Sequence, residues 1–88
     1  MKKIEKKAWP LWFNKILDGS KTYDFRLADF KINKGDILVL KEWNPKTKKY
    51  TGRKIEKKVS YVGKFKIDKL PWSRKEVEKY GFQILAFK

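Results

Sequence analysis

Neither cysteine nor histidine occurs among the 88 residues. The first absence excludes disulfides, zinc–thiolate centres and thiol nucleophiles. The second removes the commonest general base and the commonest metal ligand. Any catalysis would have to run on Lys, Asp, Glu, Tyr, Thr or Ser, so no metal and no cofactor is expected. Long apolar runs are missing too. None approaches the roughly 18–20 residues of a membrane span, and no signal-type apolar core follows the first lysines. A cytoplasmic protein with no membrane partner is therefore expected. Acidic residues are scarce: ten Asp and Glu face 24 Lys and Arg, for a net charge of +14.

A field this positive attracts polyanions, chiefly RNA or DNA. Lysine-rich surfaces with no Cys and one Met also match hyperthermophile composition. In that setting, however, Glu would offset the lysines, so nucleic-acid contact is the better account of the excess. One domain spanning residues 1–88 is expected, and it is expected to be a monomer. A chain this short buries only about 60–65% of its unfolded surface. Its aromatics (Phe 6, Trp 4, Tyr 4) supply the bulk for a core.

Along the chain, residues 2–8 read as a lysine-rich edge strand. Pro10 suits the first turn of a helix and Gly19 the position just past its end. Trp9, Phe13 and Leu17 form one i, i+4 ladder and Trp12 with Ile16 another, which assigns Trp12 to the core. Residues 20–27 read as a strand: Thr22, Asp24 and Arg26 point one way, and Tyr23, Phe25 and Leu27 point the other, into a core. Lys34-Gly35-Asp36 is a turn, and Ile37 to Leu40 is apolar on both faces, continuing to Trp43. A basic loop, Asn44 to Lys49, leads into Tyr50-Thr51-Gly52-Arg53. Ile55, Val59 and Tyr61 then alternate along a fourth strand, running on towards Ile67. Ser73-Arg74-Lys75-Glu76 is a capping box that opens a short helix 74–80. Phe82 to Phe87 reads as a buried closing strand. This is an α+β chain of about five strands and two short helices, with mostly antiparallel connections, and a small mixed β-barrel is favoured over an open sheet.

Chemistry concentrates between Gly19 and Arg26. Asp24 and Arg26 stand about 6.5–7 Å apart along a strand, close enough to pair, and arginine presents a fork suited to phosphate or carboxylate. The same two residues would also make an ordinary structural ion pair. Lys21 falls on the opposite strand face and reaches the same cleft only if the chain is twisted or bulged after Gly19. As a nucleophile it would need its pKa lowered, whereas as a phosphate ligand it needs nothing special. Thr22 could orient a water, though threonines in strands are usually just good strand formers. Trp43, at a strand end beside the basic loop, is a stacking candidate for a base. Lys46, Lys48, Lys49, Tyr50, Arg53 and Lys54 cluster on the central hairpin, where they could follow a phosphate backbone.

The pattern Gly19-x-Lys21-x-x-Asp24-x-Arg26, following an amphipathic helix, resembles the signature of the ASCH domain, a member of the PUA-like β-barrel superfamily. The runs Lys34-Gly35-Asp36-Ile37-Leu38, Glu42-Trp43 and Tyr50-Thr51-Gly52-Arg53 look like a small ASCH subgroup of unassigned function. The similarity covers roughly residues 9–62, with one departure: the usual acid is Glu, and Asp24 is a methylene shorter. The resemblance implies a PUA-like barrel and an RNA- or nucleotide-binding module whose cleft is lined by Lys21, Thr22, Asp24 and Arg26, with Trp43 stacking. Some small relatives are amidohydrolases that remove the acyl group of N4-acetylcytidine with Lys, Thr and Glu. That alternative implies Lys21 and Thr22 as catalytic residues and, on spacing, Glu42. A third expectation, from charge alone, is a sequence-indifferent lysine-rich DNA-binding protein.

Overall fold

Pro10 and Gly19 bracket the first helix, and the strands before and after it lie side by side. The computed structural model describes residues 1–85 and 87. Its elements are β1 (Lys3–Ala8), α1 (Pro10–Leu17), β2 (Ile37–Asn44), β3 (Lys49–Lys58), a 3-10 turn (Ile67–Lys69) and α2 (Arg74–Tyr80). The three strands form one sheet in the order β1-β2-β3. β1 runs parallel to β2, with Lys3 opposite Ile37 and Ala8 opposite Glu42. A parallel neighbour demands a crossover, and the chain from α1 to Gly35 supplies it. β2 and β3 form an antiparallel hairpin, with Ile37 opposite Lys58 and Asn44 opposite Lys49.

Strand alternation gives the sheet two unlike faces. Ala8, Leu38 and Leu40 point to an inner face, where Phe13 and Ile16 of α1 cover them, and Ile32, Ile55 and Val59 pack around this core. Phe13 and Leu40 are the largest side chains fully shut off from solvent. The helix buries only Phe13 and Ile16, three residues apart, so the two ladders are cut short: Trp9, Leu17 and Trp12 are all about half exposed. Trp12 is thus not a core residue. On the outer face Val39 is buried between two ion pairs that cross the sheet, Lys3–Glu56 and Lys41–Glu5.

Among the described residues the expected five-stranded PUA-like barrel is not formed. The sheet there is open and mixed, with three strands, and β1 and β3 are its two edges. Residues 20–27 pair with no strand, because local hydrogen bonds take over the chain there. The Ser20 N–H donates to Asp18 Oδ1 at 2.8 Å, and the Lys21 N–H donates to the Lys15 carbonyl at 2.9 Å. The Arg26 guanidinium, and not a strand backbone, takes the Lys7 carbonyl on β1 at 3.3 Å. The expected fourth strand is the second half of β3, which stops at Lys58. The closing strand is absent from Phe82–Leu85 and Phe87, and Ala86 lies outside the described residues. Period-two alternation is a local signal, whereas closure needs partner strands that the alternation does not specify.

The capping box is present. Ser73 Oγ accepts from the Glu76 N–H at 3.2 Å, and Glu76 Oε1 accepts from the Ser73 N–H at 3.0 Å. α2 buries none of its residues. Among the described residues no helix is long and apolar enough to cross a membrane, and no group of three or more acidic residues could hold a metal ion.

Candidate functional site: a cation-lined cleft at one end of the sheet

α1 ends at Asp18, whose N–H bonds to the Asn14 carbonyl at 3.0 Å, and Gly19 then turns the chain at φ +85°. That positive φ is why a glycine stands here. The Asp18 carboxylate receives both the hydroxyl and the N–H of Ser20, and these bonds lower its pKa. The chain curls instead of extending, so Lys21, Thr22, Tyr23, Asp24 and Arg26 all reach one cleft regardless of strand parity. A second turn braces the other side. The buried Asp36 carboxylate accepts from the N–H groups of Asn33 at 2.9 Å and Lys2 at 3.2 Å, and these two bonds, in that order, lower its pKa. The Val59 N–H then donates to the Asp36 carbonyl at 2.8 Å, holding the end of β3 against this turn.

Between the two walls lies an open cleft of about 400 Å³. Leu38 and Leu40 form its apolar floor, residues 21–26 one wall, and residues 57–64 the other. Among the described residues the lining holds Lys21, Arg26, Lys57, Lys58 and Lys64 against a single carboxylate, Asp24. Asp24 and Arg26 neutralise each other in a fork: Nε and Nη2 both donate, the latter to Oδ1 at 3.1 Å. Their side chains are 17% and 25% exposed, so the pair is largely sheltered. The other four cations make no ion pair among the described residues. Lys21 Nζ lies 5.0 Å from the Trp12 ring centre and 5.3 Å from that of Tyr23. Such contacts are weak at exposed sites, about 0.5–1 kcal/mol, and leave the ammonium available.

The opposite end of the hairpin is built differently. Glu42 is buried at 4% exposure on the inner face. Thr51 Oγ1 donates to its Oε1 at 2.6 Å, and Arg53 donates from Nε to Oε1 at 2.9 Å and from Nη2 to Oε2 at 2.8 Å. Arg53 Nη2 also donates to Asn14 Oδ1 at 2.8 Å, and its guanidinium lies 4.9 Å from the centre of the Phe13 ring. Thr51 and Arg53 reach the same carboxylate because β3 bulges there: the pairing register shifts between Lys41 and Trp43, and Gly52 takes φ +95°. Arg53 first, then Thr51, holds the Glu42 carboxyl down at about 2 from its ordinary 4.5. This is a lock between α1, β2 and β3, with both carboxylate oxygens of Glu42 engaged.

The expected site residues therefore separate. Lys21, Thr22, Asp24 and Arg26 share the cleft. Glu42 does not line it, so the expected Lys21–Thr22–Glu42 set is not assembled. Arg53 is held by Glu42, which matches its charge. Lys46, Lys48 and Lys49 sit exposed at the hairpin tip. There Asn44 Oδ1 accepts from the Lys46 N–H at 2.9 Å, and Lys48 turns the chain at φ 57°. Trp43 and Tyr50 face each other across the hairpin, and Lys54 pairs with Lys41. Lys49 to Lys57 spans about 27 Å along the strand, so tip and cleft are distinct regions. The sequence reading missed Lys57, Lys58 and Lys64, and it missed Asn14. The three lysines could have been found as an excess of charge at a strand end beside the Asp36 turn, whereas Asn14 carries no such signal.

A three-stranded mixed sheet, one covering helix and a cation-lined cleft at the sheet end define a small α+β domain class. More narrowly, the chain belongs to the domain of unknown function family DUF3850, whose model matches residues 4–70. That stretch takes in the sheet apart from Lys3, α1 and both cleft walls, and stops before α2. Over 58 residues the chain is 38% identical to the "uncharacterized 12.9 kDa protein in GpA 3'region" of Escherichia phage P2. The aligned segment is 66% of this chain and 51% of that protein, so the chain spans about half the length of this curated relative. No solved structure matches.

Proposed function

We propose that the domain binds RNA, or a nucleotide-like anion, in the cleft between residues 21–26 and 57–64. One observation carries this reading: four cleft lysines, Lys21, Lys57, Lys58 and Lys64, have no ion-pair partner among the described residues, while Asp24 is matched to Arg26. Lysine ammonium groups bind phosphate as point charges, and Tyr23 and Tyr61 line the same space with faces on which a base can stack. The Asp24–Arg26 fork gives the wall a fixed shape and leaves the Thr22 hydroxyl beside it as a donor or acceptor. The resemblance of this segment to the ASCH signature supports the same reading, as does the net charge of +14.

Amide shift mapping by NMR tests it. With short single-stranded RNA, shifts are expected at residues 21–27 and 57–64. Shifts confined to α2, or none, would overturn the reading. Two alternatives meet the same spectrum. A lysine-rich DNA-coating protein would respond equally to duplex DNA. A hydrolase acting on an acylated nucleoside would have Lys21 and Thr22 on the cleft wall, but Glu42 is held elsewhere and the Asp24 oxygens are engaged by Arg26. Release of cytidine from N4-acetylcytidine, lost in Lys21→Ala, is the result that would favour it.

A further inference from the structure

Four side chains on the outer face of the sheet form an arrangement that the cleft does not use. Lys7 and Lys41 are register partners on β1 and β2, and Trp43 and Tyr50 are partners on β2 and β3. Lys7 Nζ stands 4.4 Å from the Trp43 ring centre and 6.0 Å from that of Tyr50, and Lys41 Nζ stands 4.7 Å from the Tyr50 ring centre. Their neighbours Ala8 and Leu40 belong to the core under α1, so these side chains point the other way, off the free face of the sheet. Tyr50 is half exposed.

Charge balance distinguishes this half of the outer face from the half around Val39. There Lys3 is matched by Glu56 at 3.2 Å. Here the cations outnumber the acids: Lys7 and Lys54 make no ion pair among the described residues, and Lys41 reaches Glu5 only at 3.8 Å on an exposed surface, where such a pair is worth little. From this juxtaposition we infer a second binding site, a stacking platform for single-stranded nucleic acid formed by Trp43 and Tyr50 and flanked by Lys7, Lys41 and Lys54.

The energetics favour exchange of partners on this platform. An exposed ammonium over an aromatic ring gains about 0.5–1 kcal/mol. A base stacked on such a ring gains about 1–3 kcal/mol, and the displaced ammonium is then free to meet the phosphate of the same nucleotide. Duplex bases are already stacked on one another and offer no face to a ring, so the ligand is a single strand. The charge of the platform fits that ligand, and the exposed tip lysines Lys46, Lys48 and Lys49 extend the positive surface along the hairpin.

The test compares wild type, Tyr50→Ala and Tyr50→Phe, each checked for folding by circular dichroism, in binding a mononucleotide, a long single-stranded oligomer and an abasic oligomer of equal length. RNA and DNA versions of the oligomer are both run, and binding of neither by wild type overturns the platform. Tyr50→Ala is expected to lose about fivefold to 100-fold in affinity for the oligomer and to leave mononucleotide binding unchanged. Tyr50→Phe, which keeps the ring, is expected to bind as wild type. Unchanged oligomer affinity in Tyr50→Ala would overturn the platform. So would an abasic strand that binds wild type as tightly as the base-bearing one, a comparison that needs no variant. If the oligomer depends on Tyr50 while residues 21–27 and 57–64 show no amide shifts on adding it, the cleft reading fails and the platform stands.

Discussion

The two ends of the β2–β3 hairpin use the same residue types to opposite effect. At one end Glu42 is buried with Arg53, Thr51 and Asn14 in a network that engages both of its carboxylate oxygens. At the other, Lys57 and Lys58 open onto a cleft with Lys21 and Lys64, and Asp24, the one acid there among the described residues, is already taken by Arg26. Matched charge closes the first end, and unmatched charge leaves the second available. Charged residues in a basic chain thus carry different meanings according to whether a buried carboxylate meets them. A count of lysines and arginines cannot make that distinction, whereas the hydrogen bonds around Glu42 and Asp24 do.

If the first end is a structural lock, Glu42→Gln should give the largest loss of stability. The substitution keeps the shape but removes the charge and turns one acceptor into a donor facing Arg53. A loss of about 2–3 kcal/mol in urea unfolding is expected. The same lock makes a pH prediction. The folded-state pKa of Glu42, about 2, lies below its ordinary 4.5, so its contribution is complete above pH 4.5 and is lost as pH falls towards 2. Glu42→Gln should flatten that fall, and an unaltered acid profile would refute the lock. Next in size is Gly52→Ala. Nothing lies within 4 Å of the added Cβ, so the effect should come from backbone strain at φ +95° alone, about 1–2 kcal/mol. No change in unfolding midpoint would mean the bulge is not what brings Thr51 and Arg53 to Glu42. Smallest is the double substitution Lys57→Ala/Lys58→Ala. It should alter stability by less than about 0.5 kcal/mol, because neither lysine has an ion-pair partner among the described residues.

Local signals in the sequence were read well where local chemistry decides. Pro10 and Gly19 bracket α1, Ser73 and Glu76 cap α2, and the Lys34-Gly35-Asp36 turn and the β2 strand stand where expected. Long-range pairing was not legible. The Tyr23/Phe25/Leu27 alternation looks like a strand, but Phe25 stacks against Phe65 at 6.3 Å and no strand pairs with the segment. Asp18, Ser20 and Arg26 divert the backbone there, and no alternation pattern reports such competition. The cleft was half legible. Asp24 and Arg26 stood out as a pair, whereas Lys57 and Lys58 looked like any other lysines until the end of β3 was brought to the Asp36 turn.

The central claim is that the unmatched cleft lysines, and not charge in general, hold a phosphate-bearing ligand. The slope of log Kd against log salt for a short single-stranded RNA tests it directly, because each phosphate contact contributes about 0.7 to that slope. Lys57→Ala/Lys58→Ala should lower the slope by about 1.4, while Lys75→Ala/Lys79→Ala on α2, with the same change in net charge, should leave it unchanged. Equal slopes in the two double variants would contradict the claim.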